Sequence, residues 1–395
     1  MELEAFLSGT SPARGHRSSA ASWHADERRL IGVSHRGSGE RFLELLAFGL
    51  LGLDGRELHL VLPWQAVKAT RARAAFLTAT VHVHATQGRG IGGAEPPMSV
   101  TKAREFYRRL GKPSAPAAWE ATAWDPWLKD LVDWVESRRV ERVRNSERHA
   151  WHYRGRQVLS VRAFAEGGYE LIAGANLKTP VGGQPAAVKL RLPAGGSLTP
   201  RQVVEVQGAV DRAIERRRTG ADAKHREHLL QAAIGTEPAL IGATHLRREV
   251  TAWRPRYEKI AGVAFIDLLG RDVDRIGHVI ETKVAPDAHL GIQALDHWAW
   301  ADAHRTELAE HIDPDPTRRF KLDIVLGRSN RELLHPVAAA TLRALGDEVD
   351  WRCHVIDEWD TIETPRSLLT PQAEALPPRT IPVEEAQPLA EADPE

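Results

Sequence analysis

Asp267 lies inside the otherwise apolar run Val263-Ala264-Phe265-Ile266-Asp267-Leu268-Leu269, and Glu281 and Lys283 lie inside the next one, Ile276 to Val284. Both runs read as strands, and alternation places Glu281 and Lys283 on one face with Ile280 and Thr282 on the other. The loop Gly270-Arg271-Asp272-Val273-Asp274-Arg275 joins them as a hairpin, which makes Asp267 and Glu281 cross-strand neighbours. Two ionised carboxylates in a half-buried sheet repel each other and lose hydration, at several kcal/mol per uncompensated ion. A hard divalent cation is an economical compensation, and hydrolysis of a phosphodiester is chemistry that such a cation serves. An ordinary Glu-x-Lys salt bridge on a solvated face is the alternative reading. Arginine far outnumbers lysine in this chain, so a lysine at 283 departs from the compositional default, and a compact ammonium suits holding a water or a phosphate oxygen.

Two flanking helices carry the remaining candidates. Glu227 falls on the apolar stripe of a helix with Leu230 and Ile234, so a third acid points at the same sheet. Gln293 begins the helix after the second strand, and His297, Trp300 and His304 follow along its face.

In this order, Glu227, Asp267, Glu281-Thr282-Lys283 and Gln293 resemble the four-part signature of the PD-(D/E)XK nuclease superfamily. The region is especially similar to the nuclease domain of NucS-type mismatch endonucleases. The likeness is carried by Phe265-Ile266-Asp267-Leu268-Leu269-Gly270-Arg271-Asp272, Val279-Ile280-Glu281-Thr282-Lys283 and Gln293-Ala294-Leu295-Asp296-His297-Trp298-Ala299-Trp300. The resemblance implies that Asp267, Glu281 and the backbone carbonyl of Thr282 bind Mg²⁺ or Mn²⁺. It further implies that Lys283 positions and helps deprotonate the attacking water, that Glu227 holds a metal-bound water, and that Gln293 steadies the active-site end of the sheet. His297 stands where relatives usually carry Tyr and is placed among the nucleic-acid contacts.

The elements around this site predict a multi-domain α/β chain. After a mobile arm (residues 1–28), strands at Arg29–Val33, Glu57–Leu62 and Ala79–Ala85 alternate with helices as a Rossmann-like βαβαβ unit (29–95). The Gly/Pro-rich stretch Gly88–Pro97 reads as a linker. An α+β antiparallel meander follows (100–220), then a restriction-endonuclease-like αβββαβ core (222–362) and a disordered acidic tail (363–395).

The meander is rich in arginine with Trp151, His152 and Tyr153 interleaved, a composition suited to a nucleic-acid backbone. Arg148, Arg154 and Arg156, together with Arg216 and Arg217 near the nuclease helix, are the expected phosphate contacts. A solvated helix end running into an ordinary meander is the alternative. In the first unit, the loop His35-Arg36-Gly37-Ser38-Gly39 precedes a helix and could accept an anion, hence a nucleotide effector. A tight structural turn is the simpler reading. His82 and His84 share a strand face, but two histidines without a third ligand read as packing or surface residues. Trp119, Trp124, Trp127 and Trp134 read as core.

The 395 residues carry 53 basic and 53 acidic side chains, which argues against a globally polycationic coat without excluding a local patch. One cysteine, Cys353, excludes an intramolecular disulfide framework and a cysteine zinc site. No run is apolar enough to span a bilayer and no secretory pattern opens the chain, so a cytoplasmic protein without membrane contact is expected. The expectation is a metal-dependent DNA endonuclease in restriction, defence or repair, acting as a homodimer because cutting two strands commonly uses two sites. The alternatives are a DNA-binding or scaffold protein with a non-catalytic nuclease fold, or a nuclease gated by a nucleotide sensed in the first unit.

Overall fold

The structure, a computed structural model, describes residues 8–12, 21–34, 45–87, 90–113, 124–144, 148–174, 187–218, 226–256, 261–327, 334–357, 359 and 379–380. Three sheets form among these residues, in a multi-domain α/β arrangement.

The first sheet runs β1 (Ser11–Pro12), β2 (Ala21–Ala25), β3 (Arg29–Ser34), β4 (Glu57–Pro63), β5 (Val81–Gln87), β6 (Gly90–Glu95) in spatial order. Strands β3, β4 and β5 are parallel, as the β-α-β-α-β pattern predicts, with helices α1 (Leu45–Leu51) and α2 (Trp64–Ala74) as crossovers. Leu58, Leu60 and Leu62 alternate onto the helix face, where they pack with Leu45, Leu46, Ala66 and Val67. Glu57, His59 and Val61 take the opposite face.

Two expectations are corrected here. Residues 21–25, read as part of a mobile arm, form β2 against β3. Trp23 is buried over Gly32, where a Cβ would approach its ring to 2.7 Å, so the missing side chain of one strand seats the ring of its neighbour. Residues 90–95, read as linker, form β6 against β5. Backbone pairing needs no side chains, and Ile91 alone supplies a buried one. The loop 35–39 and Trp119 lie outside the described residues, as does the tail apart from Arg379–Thr380, which pairs with the strand Trp351–Ile356 as a two-residue strand.

Helix α3 (Val100–Arg108) follows. The second sheet is the expected antiparallel meander, β7 (Glu141–Arg144) to β8 (His149–Tyr153), β9 (Arg156–Ala163), β10 (Tyr169–Ala173) and β11 (Val188–Leu192). Helices α4 (Pro126–Glu136) and α5 (Pro200–Arg218) close its core around Trp151, with Trp124 buried and Trp127 and Trp134 packed against it.

The third sheet orders β12 (His245–Arg254), β13 (Gly262–Arg271), β14 (Gly277–Lys283), β15 (Lys321–Gly327), β16 (Trp351–Ile356) and β17 (Arg379–Thr380). Its first three strands are antiparallel and β14–β15–β16 are parallel. Helix α6 (Arg226–Thr236) covers one face through Leu230 and Ile234 on Leu268, Ile280 and Val325. Helix α7 (Leu290–Ala303) covers the other through Leu295 and Trp298 on Val279 and Ile324. Helix α7 breaks after Ala303, where His304 turns back on the Trp300 carbonyl, and the chain is helical again only in the short α8 (Ala309–Ile312). Helix α9 (Pro336–Arg343) connects β15 to β16.

Helix α7 is buried on every side except at Gln293. A helix buried on nearly every side needs cover on every side, and the first unit and α3 supply it. Ala69 and Ala72 of α2, Phe76 in the turn after it, and Phe106 and Tyr107 of α3 share one core with Leu295 and Trp298. Ile292 and Val337 join the core of the first sheet in return. No helix of the described residues is long and apolar enough to cross a membrane.

Candidate active site

Strand β13 supplies Asp267, β14 supplies Glu281, Thr282 and Lys283, and α6 supplies Glu227. The ladder between β13 and β14 ends with Leu268 opposite Ile280, so its register carries Asp267 to the level of Glu281 one step further on. Asp267 is half-buried, and its Oδ2 accepts two hydrogen bonds from Thr282, from the backbone N–H at 2.9 Å and from the hydroxyl at 2.8 Å. Burial first, and then the charge of Glu281, push Asp267 up to about 6, against the pull of the Thr282 N–H and of Lys283.

Glu281 is fully buried. Its Oε1 meets Nδ1 of His297, also buried, in a short contact, while its Oε2 makes no hydrogen bond. Burial works against a charged His297, but the Glu281 carboxylate outweighs it and holds the imidazole above its ordinary range. His297 thus lies beneath the carboxylate in the protein interior, which corrects its placement among the nucleic-acid contacts. Histidine four residues into a helix face was legible in the sequence; its partner across the sheet was not.

Lys283 Nζ donates to Glu227 Oε1 at 2.9 Å, with Asp287 further off at 3.9 Å. Burial disfavours its charge, yet Glu227, Asp267 and Glu281 together hold the ammonium above its ordinary value. Burial pushes Glu227 up and Lys283 only partly reverses it. The four charged groups expected to converge therefore do so, with Lys283 bound to the helix acid rather than to either strand acid. Gln293 occupies the first turn of α7, half-buried, and its backbone N–H donates to the His289 carbonyl at 2.9 Å.

Sequence reasoning missed the layer behind Thr282. Gln231 Nε2 donates to Thr282 Oγ1 at 3.1 Å, and Arg248 donates to Gln231 Oε1 at 3.3 Å, to Glu141 at 2.6 Å and to the Gly155 carbonyl at 3.0 Å. It also missed an irregularity in β12. Arg248 pairs with Leu268 and Val250 with Ile266, but Glu249 between them has φ 53°. Ile266 and Leu268, two residues apart, accordingly face opposite cores. Strand alternation is reset at Asp267, opposite the left-handed Glu249.

The arginines separate. Arg217 is buried and donates to the carbonyls of Arg156 (3.2 Å) and Gln157 (2.8 Å), so it ties α5 to β9 from within instead of presenting itself to a phosphate. Arg148 is half-buried and paired with Glu170 at 3.0 Å. Arg154 and Arg156 flank Gly155, whose turn abuts the backbone of His228 on α6, and Arg216 is half-buried near the end of α5. Arg154 and Arg156 thereby lie beside the helix that carries Glu227.

No family model matches the chain, and no curated protein matches it. Among solved structures, the crystal structure of a repair endonuclease from Pyrococcus abyssi is similar at 12% identity, over 60% of this chain and 95% of that one, with a TM-score of 0.17. So loose a superposition is a weak structural likeness to a repair endonuclease and carries no argument about this chain.

Proposed function

We propose that the protein is a metal-dependent endonuclease that hydrolyses DNA phosphodiester bonds at Asp267, Glu281 and Lys283. The observation that carries this reading is the fully buried Glu281 carboxylate, level with Asp267 on the next strand, whose Oε2 has no hydrogen bond among the described residues. A buried oxygen without a donor is costly unless a cation meets it. The described hydrogen bonds engage one oxygen of each acid, Oδ2 of Asp267 and Oε1 of Glu281, and leave the other to a ligand. All-oxygen donors suit Mg²⁺ or Mn²⁺ rather than a softer metal. The residues fit such an ion, with the Thr282 carbonyl as a further ligand.

When bound, a divalent cation supplies positive charge against the phosphodiester and acidifies water. The chain's own residues supply the rest. Lys283, held above its ordinary value, is an ammonium at neutral pH; it orients a water or a phosphate oxygen and does not itself take a proton. Glu227, hydrogen-bonded to that ammonium and raised by burial, is placed to accept one. Thr282 and Gln231 fix the rotamer of Asp267, and His297 fixes that of Glu281. Arg154 and Arg156 extend positive charge from the site's helix toward a nucleic-acid backbone.

The test is cleavage of circular and linear DNA, single- and double-stranded, with Mg²⁺, Mn²⁺ or EDTA, by wild type, Lys283→Ala and Asp267→Asn. Wild type is expected to cut only with metal, and each variant to lose on the order of a hundredfold or more in rate. Cleavage that survives EDTA, or that Asp267→Asn retains in full, overturns the assignment.

A further inference from the structure

We infer that Glu57, His59 and His82 form a second metal site, for Zn²⁺ or a similar borderline transition ion, on the helix-free face of the first sheet. It is independent of the nuclease reading. His82 and His84 alone lacked a third ligand; adjacency of the parallel strands β4 and β5 supplies two, because His59 pairs directly with His82 and Glu57 lies two residues before His59 on the same face. One ligand atom from each of Glu57, His59 and His82 falls within 4.8 Å of the other two.

Both spacings from Glu57 are those of a coordination shell. Ligands about 2.1 Å from a tetrahedral ion stand about 3.4 Å from one another. Glu57 Oε2 stands 3.3 Å from His82 Nε2 and 3.7 Å from His59 Nε2. The His82 contact is close enough for a hydrogen bond, yet the buried His82 Nε2 makes none. The two atoms are near each other without the angle of a hydrogen bond.

Hydrogen bonding behind the cluster sets the tautomers. The Gly92 carbonyl can only accept, so His84 presents Nδ1–H to it at 3.4 Å. His84 Nε2 then accepts from His59 Nδ1–H at 3.1 Å, since imidazoles stacked at 4.4 and 5.4 Å disfavour one another's charge. That assignment leaves the lone pair of His59 Nε2 facing a carboxylate oxygen, an arrangement a cation between them converts from repulsion to attraction. A ligating histidine whose other nitrogen donates to a fixed partner is the usual outer-shell arrangement of a zinc site. Imidazole with carboxylate selects Zn²⁺ over Mg²⁺. The exposed Glu57 leaves an open side for entry and for a fourth, solvent ligand.

The experiment measures metal bound to the full chain after chelation and return of Zn²⁺ in the presence of excess Mg²⁺, by elemental analysis and by the visible spectrum of the Co²⁺ form. Wild type and Asp267→Asn are expected to bind one Zn²⁺ each with a tetrahedral Co²⁺ spectrum. His82→Ala and Glu57→Gln, both at partly exposed positions where folding is retained, are expected to bind at least tenfold more weakly and to lose that spectrum. A wild type that takes up no Zn²⁺ overturns the site, as do variants that bind it unchanged. Loss of Zn²⁺ in Asp267→Asn alone moves the ion to the other site and equally overturns this one.

Discussion

Arg73 closes a two-point ion pair on Asp296 in the protein interior, Nε to Oδ1 at 2.8 Å and Nη2 to Oδ2 at 2.5 Å, with both side chains only 3% exposed. Tyr107 donates its hydroxyl to the same Oδ1 at 2.7 Å. The three residues come from α2, α3 and α7, so a helix of the first sheet grips the helix that carries Gln293 and His297 at the residue next to His297. Removing one partner of a buried pair strands the other charge, and Arg73→Ala is expected to cost about 3–5 kcal/mol. Replacing both, Arg73→Met with Asp296→Leu, is expected to recover most of it. Urea unfolding of the single and double variants checks this; a single variant as stable as wild type sinks the claim.

Asp267 contributes its own pH dependence to the stability of the metal-free protein. It titrates at about 6 when folded and at the ordinary carboxylate value of 3.8 when unfolded, so between these values the folded chain holds the extra proton. Stability from this group is therefore full below about 4 and is lost as pH rises to about 6. Asp267→Asn removes that slope and is expected to be more stable than wild type at pH 7 in EDTA. Thermal melts of the two proteins from pH 4 to 7 decide it: parallel curves contradict the assigned burial.

At Gly155 the meander touches the helix that carries Glu227. Its φ is +77°, and a Cβ there would collide with the backbone carbonyl of His228, the residue after Glu227. Its own carbonyl accepts from Arg248 and from His152. Gly155→Ala adds backbone strain of roughly 1 kcal/mol or more and displaces α6, so Glu227 leaves Lys283. The expected result is a cleavage rate down at least tenfold with the fold intact by circular dichroism. A fully active Gly155→Ala would show that α6 is not positioned from this side.

Lys283→Arg keeps the charge and the Glu227 partner but substitutes a wide planar fork for a point charge. Cleavage by this variant is expected to stay on the order of a hundredfold below wild type, while Zn²⁺ binding at the first sheet is unchanged. Full activity with arginine would reduce Lys283 to a plain structural counter-ion.

Much of this site was legible in the chain because its signals are local. An aspartate inside an apolar strand, a Glu-x-Lys pair sharing one parity, and an acid on the apolar stripe of a helix depend only on periods of 2 and 3.6 residues. The parallel order of β3, β4 and β5 and the meander of β7–β11 followed from the same periods and from the glycines between strands. The partnerships did not. Lys283 bonds Glu227 rather than a strand acid, Glu281 rests on His297, Arg217 turns inward to two carbonyls, and alternation resets at Asp267 opposite the φ 53° of Glu249. Periodicity says which face a side chain takes, but the neighbour on that face is chosen by register between distant strands and by which helix packs on the sheet. The same distinction separates His82, visible from the first as one of a pair, from Glu57 and His59. Only the pairing of β4 with β5 brings their ligand atoms within reach.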